Sequence, residues 1–249
     1  MRTLRRRIDL NGDLGESPER WASGEDGALM YYLTSANICC GAYAGDDHTI
    51  WRTCDAAIET ATTIGAQVGY PDFEGFGRRS IEISTADLEA TVAEQIDYLK
   101  STTKRLGGEV HYVKPHGALY NDIVHDEQRA LAVMRAVKSS RVGVVVGMPG
   151  SASLRIANEL GLTTVHEGFA DRAYLADGTL MPRSEPGAVL TSPEEVATQA
   201  MELLTKDIDS ICVHSDSPNA PDSAEAIRAA LARAGVTVEA FVAAALRPQ

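Results

Sequence analysis

The chain has 249 residues, 44% of them hydrophobic, and a formal net charge of -12. That length suits one large core of β/α-barrel size, and an acidic chain lacks the Lys and Arg excess needed to neutralise nucleic-acid phosphates. No stretch approaches the roughly 18 apolar residues of a membrane-spanning helix, so neither nucleic acid nor membrane is an expected partner.

The basic run Arg2, Arg5, Arg6, Arg7 is followed by Asp9, Asn11 and Asp13 rather than by an apolar stretch. No secretory leader is expected, and the location expected is cytoplasmic. The four cysteines, Cys39, Cys40, Cys54 and Cys212, form no CxxC pair. Reduced thiols are therefore expected, with no disulfide and no structural zinc.

Seven β-like runs are read in chain order at residues 7–10, 36–39, 66–68, 110–113, 142–146, 163–165 and 210–213. Several are solidly apolar, as strands buried on both faces of a parallel sheet are. Helical patterns fill the gaps. One starts at Ser84 or Thr85 with an apolar stripe at Leu88, Val92, Ile96 and Leu99, and another opens with Ser192-Pro193-Glu194-Glu195, a capping Ser with Pro at the first helical position. A last helix buries Ala224, Ile227 and Leu231, and Gly65, Gly107, Gly161 and Gly235 are read as left-handed caps turning helix into strand. Tyr31, Tyr32 and Trp51 are expected in the core, and His48, His125 and Cys54 as structural or surface residues. Residues 167–191 read as one large ordered loop. Repeated βα units without linker-like composition favour one domain over residues 1–249, an incomplete or seven-stranded (β/α) barrel. Periodicity alone does not distinguish closure from a doubly wound open sheet.

Nearly every run leads into a polar motif. They are Asn11-Gly12-Asp13-Leu14-Gly15-Glu16, Cys40-Gly41-Ala42-Tyr43-Ala44-Gly45-Asp46, Tyr70-Pro71-Asp72 with Gly75-Phe76-Gly77-Arg78-Arg79, and Lys114-Pro115-His116-Gly117-Ala118-Leu119-Tyr120. Later come Glu167-Gly168-Phe169-Ala170-Asp171-Arg172 and His214-Ser215-Asp216. In a β/α barrel the strand C-termini converge on one face, where active sites are built. Taken singly, Asp13 or Glu16 could cap a helix, and Arg78 and Arg79 could be surface ion pairs. His214 and Asp216 flank one residue, so one could orient the other or both could face a ligand. There is no GxxxxGK[ST], no GxGxxG after a strand and no GxSxG elbow.

Together these motifs resemble the LamB/YcsF family, whose characterised members are the A subunits of the ATP-hydrolysing 5-oxoprolinase. The resemblance runs over about residues 8–238. It is carried by Asp9-Leu10-Asn11 with Asp13-Leu14-Gly15-Glu16, by Ala36-Asn37-Ile38, by Gly75-Phe76-Gly77-Arg78-Arg79 and by residues 113–121. It continues through residues 169–174, Pro182-Arg183 with Pro186-Gly187-Ala188-Val189, and Ile211-Cys212-Val213-His214. It implies a TIM-like barrel related to the glycoside hydrolase and deacetylase barrels. It also implies B and C subunits as partners, and hydrolysis of the lactam 5-oxo-L-proline to L-glutamate coupled to ATP, the nucleotide being handled with those partners.

On that basis Asp13, Glu16 and His116 are expected to do acid–base work, with Asp171, His214 and Asp216 positioning them. Lys114, Arg78 and Arg172 are expected on a carboxylate or phosphorylated oxygen. Asn11, Asn37, Asp46, Asp72, Arg79, Tyr120 and Arg183 complete the expected binding set, and no metal is expected. Three departures stand out. Tyr43 and Gln67 occupy positions where the family usually has histidine, and the connection before Asp209 looks shorter. Two other readings follow from the departures and the barrel: a metal-dependent carbohydrate deacetylase, or a non-catalytic lactam-binding paralogue.

Overall fold

The computed structural model describes residues 7–175 and 178–242; Arg2, Arg5 and Arg6 lie outside them. Seven parallel strands close on themselves. They are β1 (Arg7–Leu14), β2 (Ser35–Cys39), β3 (Thr63–Val68), β4 (Val110–Pro115), β5 (Val144–Gly147), β6 (Thr163–Phe169) and β7 (Ser210–Val213). Each pairs with the next, and β1 pairs with both β2 and β7, which completes a barrel of seven staves. An eighth strand, β8 (Thr237–Val238), adds to the start of β1 at Arg7 and Ile8, before the stretch that β7 pairs.

Helices wrap the staves: α1 (Pro18–Ser23), α2 (Glu25–Met30), α3 (Asp47–Glu59), α4 (Thr85–Arg105), α5 (Gly117–Asp122), α6 (Glu127–Ser140), α7 (Ala152–Glu159), α8 (Pro193–Leu203) and α9 (Ala220–Arg233). Ser84 and Ser192 cap α4 and α8 through their side chains, as their sequences predict. Among the described residues no helix is long and apolar enough to cross a membrane.

Strand alternation sorts the residues into two compartments. Leu10, Ala36, Ile38, Ile64, Ala66, Val113, Ile211 and Val213 join the core shared with the helices. The opposite face of the same strands is largely polar. Asp9, Asn11 and Asp13 of β1 meet Ser35 and Asn37 of β2, Lys114 of β4, Glu167 of β6 and Ser210 of β7. One end of this interior is plugged by an apolar cluster in which Phe241 meets Tyr112 edge-on at 5.0 Å beside Val146 and Val165.

Three sequence expectations are corrected. Gly65 lies inside β3, not at a cap; it leaves room for the Tyr112 ring, which an added Cβ would overlap. The left-handed residue after α3 is Ala61 (φ 55), whereas Gly107, Gly161 and Gly235 do take positive φ. Tyr31 is 77% exposed at the end of α2. Trp51 is 38% exposed because α3 buries Ile50, Thr53, Cys54 and Ala57, a stripe that passes it by.

Candidate active site

Strand alternation lifts three side chains to the barrel mouth on its axis: Asp13 from β1, Lys114 from β4 and, one residue past β7, His214. They line a cavity of about 450 Å³ with Arg78, His116, Tyr120, Arg172 and Arg183.

Asp13 is the hub. Its Oδ1 accepts from Asn37 Nδ2 (2.8 Å) and Lys114 Nζ (3.0 Å). The Lys114 ammonium also lies 2.9 Å from Glu167 Oε1 and 3.1 Å from Cys212 Sγ. Burial disfavours both charges. The mutual attraction outweighs it, holding Asp13 well below the usual carboxylate range and Lys114 well above the usual amine range. Asn11 Oδ1 accepts from Asn37 Nδ2 (2.7 Å), so Asn11 and Asn37 brace Asp13 from inside the barrel.

His214 has a built partner. Its Nδ1 lies 3.0 Å from Asp171 Oδ1, and its backbone N–H donates to Asp171 Oδ2 (2.9 Å). The ring stacks on Phe169 at 5.4 Å with 13° between the planes. Burial works against the Asp171 charge, but His214 and the hydrogen bonds keep its carboxyl below the ordinary value. An ionised Asp171 accepts a hydrogen bond from Nδ1–H, which leaves Nε2 as the ring's free basic atom, 3.9 Å from Asp13 Oδ2. The orienting acid is thus Asp171, and Asp216 turns elsewhere.

His116 is different. Gln67 Nε2 stands 3.1 Å from its Nδ1, and the Phe76 carbonyl stands 3.1 Å from its Nε2. Burial lowers its pKa to about 4, so the ring is neutral near pH 7 with both nitrogens engaged. Glu16 lies behind it, with Oε1 3.5 Å from His116 Nδ1 and no hydrogen-bond partner of its own. Burial, then the Asp13 charge, pushes Glu16 well above the usual range, and it is held as a neutral acid.

The rim is cationic. Asp216 accepts from Arg78 on the loop after β3 and from Arg183 (3.0 Å) on the loop after β6. Burial opposes the Asp216 charge, but the arginines and His214 keep its carboxyl at about 2. Arg172 spends donors on the carbonyls of Ala188 (3.2 Å) and Met181 (2.6 Å), tying the β6 loop down.

Three of the expected binding residues sit apart from this cavity. Asp46 caps α3 by accepting from the Thr49 N–H (2.7 Å). Asp72 pairs with Arg79, itself 59% exposed at the side chain, and stabilises its own loop. Conversely, Glu167, Cys212, Phe169 and Gln67 escaped the sequence reading as site residues, although each points inward by the same period-two alternation as its strand neighbours. His125, expected as structural or surface, is exposed on the outer cavity wall.

Among the described residues, two triads bring possible metal donors within 4.8 Å of one another: Asp13 with Cys212 and His214, and Asp13 with Glu16 and His116. Neither offers three free donors, since the Cys212 sulfur faces the Lys114 ammonium and both His116 nitrogens are bonded.

The LamB/YcsF family pattern matches residues 8–246. The 5-oxoprolinase A subunit of Streptomyces coelicolor is 46% identical over 248 residues, covering 94% of this chain and 99% of that protein. Its counterpart from Photorhabdus laumondii is 45% identical over 249 residues, with the same coverage. The crystal structure of the lactam utilization protein from Thermus thermophilus superposes with a TM-score of 0.87 at 38% identity, over 94% of this chain and 100% of that one. A family 4 carbohydrate esterase from Streptomyces lividans shares the fold alone, with a TM-score of 0.52 at 11% identity, over 96% of this chain and 94% of that one.

Proposed function

The chain belongs to the LamB/YcsF family, and from that premise we propose that it is the A subunit of an ATP-dependent 5-oxoprolinase, opening 5-oxo-L-proline to L-glutamate together with B and C subunits. The observation that carries the reading is the Asp171–His214–Asp13 line at the cavity floor, a base with an orienting carboxylate behind it and a fixed anion in front.

A five-membered lactam is a weak electrophile. ATP would phosphorylate its carbonyl oxygen, a step assigned to the assembled complex because this chain carries no P-loop motif. Water then adds to the activated carbon while His214 Nε2 takes its proton. The Asp13 carboxylate stabilises the imidazolium so formed. As the ring C–N bond breaks, the same nitrogen returns the proton to the departing amine, leaving γ-glutamyl phosphate, whose acyl–phosphate bond a second water then hydrolyses to L-glutamate and inorganic phosphate. Lys114 and the Arg78–Arg183 rim offer fixed positive charge to the substrate carboxylate and the phosphoryl oxygens. Neutral Glu16 and His116 add no charge that would compete with Asp13.

The test is reconstitution with B- and C-type subunits, 5-oxoproline and ATP, reading released glutamate. Release that requires this chain supports the proposal. Saturable lactam binding without release would instead make the cavity a binding module.

A further inference from the structure

Tyr43 and Gln67, the two positions where the sequence departs from the usual family histidines, converge on the same ring. The Tyr43 and His116 rings stack at 4.1 Å with 5° between their planes, and the Tyr43 hydroxyl lies 3.4 Å from the Gln67 carbonyl. We infer that Tyr43 and Gln67 are positioning residues that clamp His116 as the neutral tautomer protonated at Nε2, and that this ring holds the Phe76–Arg78 turn so that Arg78 faces the cavity.

The hydrogen-bond inventory makes the case. An amide NH₂ can only donate, so His116 Nδ1 must present a lone pair to Gln67 Nε2. A carbonyl can only accept, so Nε2 must carry a proton toward Phe76 O. One neutral tautomer meets both demands. The reversed amide would place Oε1 on Nδ1, which only an imidazolium satisfies without setting Nε2 lone pair against carbonyl lone pair. That cation would be almost wholly buried beside Arg78, and the cost of burying it outweighs the pull of the Asp13 carboxylate.

The turn held by this ring is unusual in itself. Phe76 has φ 56, a left-handed conformation that a bulky residue rarely adopts and that costs on the order of 1–3 kcal/mol. Besides the His116 bond, the Gly77 carbonyl accepts from Ala118 N–H (2.9 Å). A Cβ on Gly117 would overlap that carbonyl, and one on Gly77 would press on both Tyr43 and His116 at 3.1 Å. Arg78 Cζ then sits 4.9 Å above the Phe76 ring and reaches Asp216. Phe76 is thus the link between the clamp and the rim cation.

The clamp stands apart from any activity; its use rests on the 5-oxoprolinase reading through Arg78. The experiment is two-bond ¹H–¹⁵N NMR on histidine-labelled full chain at pH 7, with the His116 signal assigned by its loss in His116→Asn. The expected wild-type pattern is the neutral Nε2–H tautomer. In Gln67→Glu the carboxylate, once ionised by raising the pH, can only accept, so the pattern should then change to imidazolium or Nδ1–H. In Gln67→Met, which keeps the volume and supplies no donor, the two neutral tautomers should mix. Solvent exchange of the Arg78 guanidinium should quicken at least tenfold in Gln67→Glu as its pair with Asp216 loosens. An imidazolium or Nδ1–H ring in the wild type overturns the clamp, as does an unchanged pattern in both variants. Unchanged Arg78 exchange alongside a switched tautomer overturns the link to the rim. None of these readouts needs turnover, so a correct clamp without glutamate release would sink the activity reading separately.

Discussion

Asp9 offers a charge whose environment sets a measurable pH dependence. It is buried at the plugged end of the barrel, where it accepts from Thr34 Oγ1 (2.7 Å), Ser35 Oγ (2.6 Å) and Ser210 Oγ. Burial raises its pKa from 3.8 to about 6, with the three hydroxyls pulling it back and Glu167 adding to the rise. The folded chain therefore holds this proton more tightly than the unfolded one. The resulting stabilisation is present in full below about pH 4 and is lost as pH rises through 6. The gap, 6 less 3.8, is about two units, or about 3 kcal/mol over the whole range. About 1 kcal/mol of it should fall between pH 5 and 7.5. Asp9→Asn removes this titration and leaves the others in place. Urea unfolding of both proteins across pH 5 to 7.5 should show the wild type losing that amount relative to the variant. Parallel stability curves, within about 0.3 kcal/mol, would refute a raised Asp9 and the burial argument behind it.

Two further substitutions probe the barrel interior. Gly65→Ala drives a Cβ into the Tyr112 ring, and a loss of about 1–3 kcal/mol in the same urea assay is expected from overpacking; an unchanged midpoint would mean Tyr112 has somewhere to go. Lys114→Met strands the carboxylates of Asp13 and Glu167 in the interior, with an expected loss of about 3–5 kcal/mol. A loss under about 1 kcal/mol would show that the ion network is smaller than drawn.

Much of the barrel could be read from the chain because its outer faces obey a simple rule: strands such as Leu10, Ala36–Ile38 and Val113 bury apolar side chains under helices. The cavity floor was legible for the same reason, since Lys114 and His214 each follow a valine at a strand's C-terminal end and Asp13 sits one residue before the end of β1. What stayed hidden was the polar interior. Asp9, Asn11 and Asp13 alternate within one strand, yet nothing local says that Lys114, 101 residues away, will pair with Asp13. The protonation state of His116 was hidden on similar grounds. Its motif marks the site, but its protonation state is set by Gln67 and Phe76, neither adjacent to it in sequence. Asp46, Asp72 and Arg79 sit in motifs beside true cavity residues and were grouped with them. Their partners, a helix N-terminus and each other, are local contacts that a motif does not distinguish from a ligand. Gly65 looked like a cap because a glycine between helix and strand usually is one. Here Ala61 makes the turn, and Gly65 makes space.

The central claim is that His214, oriented by Asp171, moves the proton in lactam hydrolysis. His214→Ala, in the complex reconstituted with B- and C-type subunits and saturated with 5-oxoproline and ATP, tests it most directly. Glutamate release should fall by roughly 10²–10⁴-fold while far-UV and near-UV circular dichroism stay unchanged. Release at the wild-type rate from the folded variant would contradict the account.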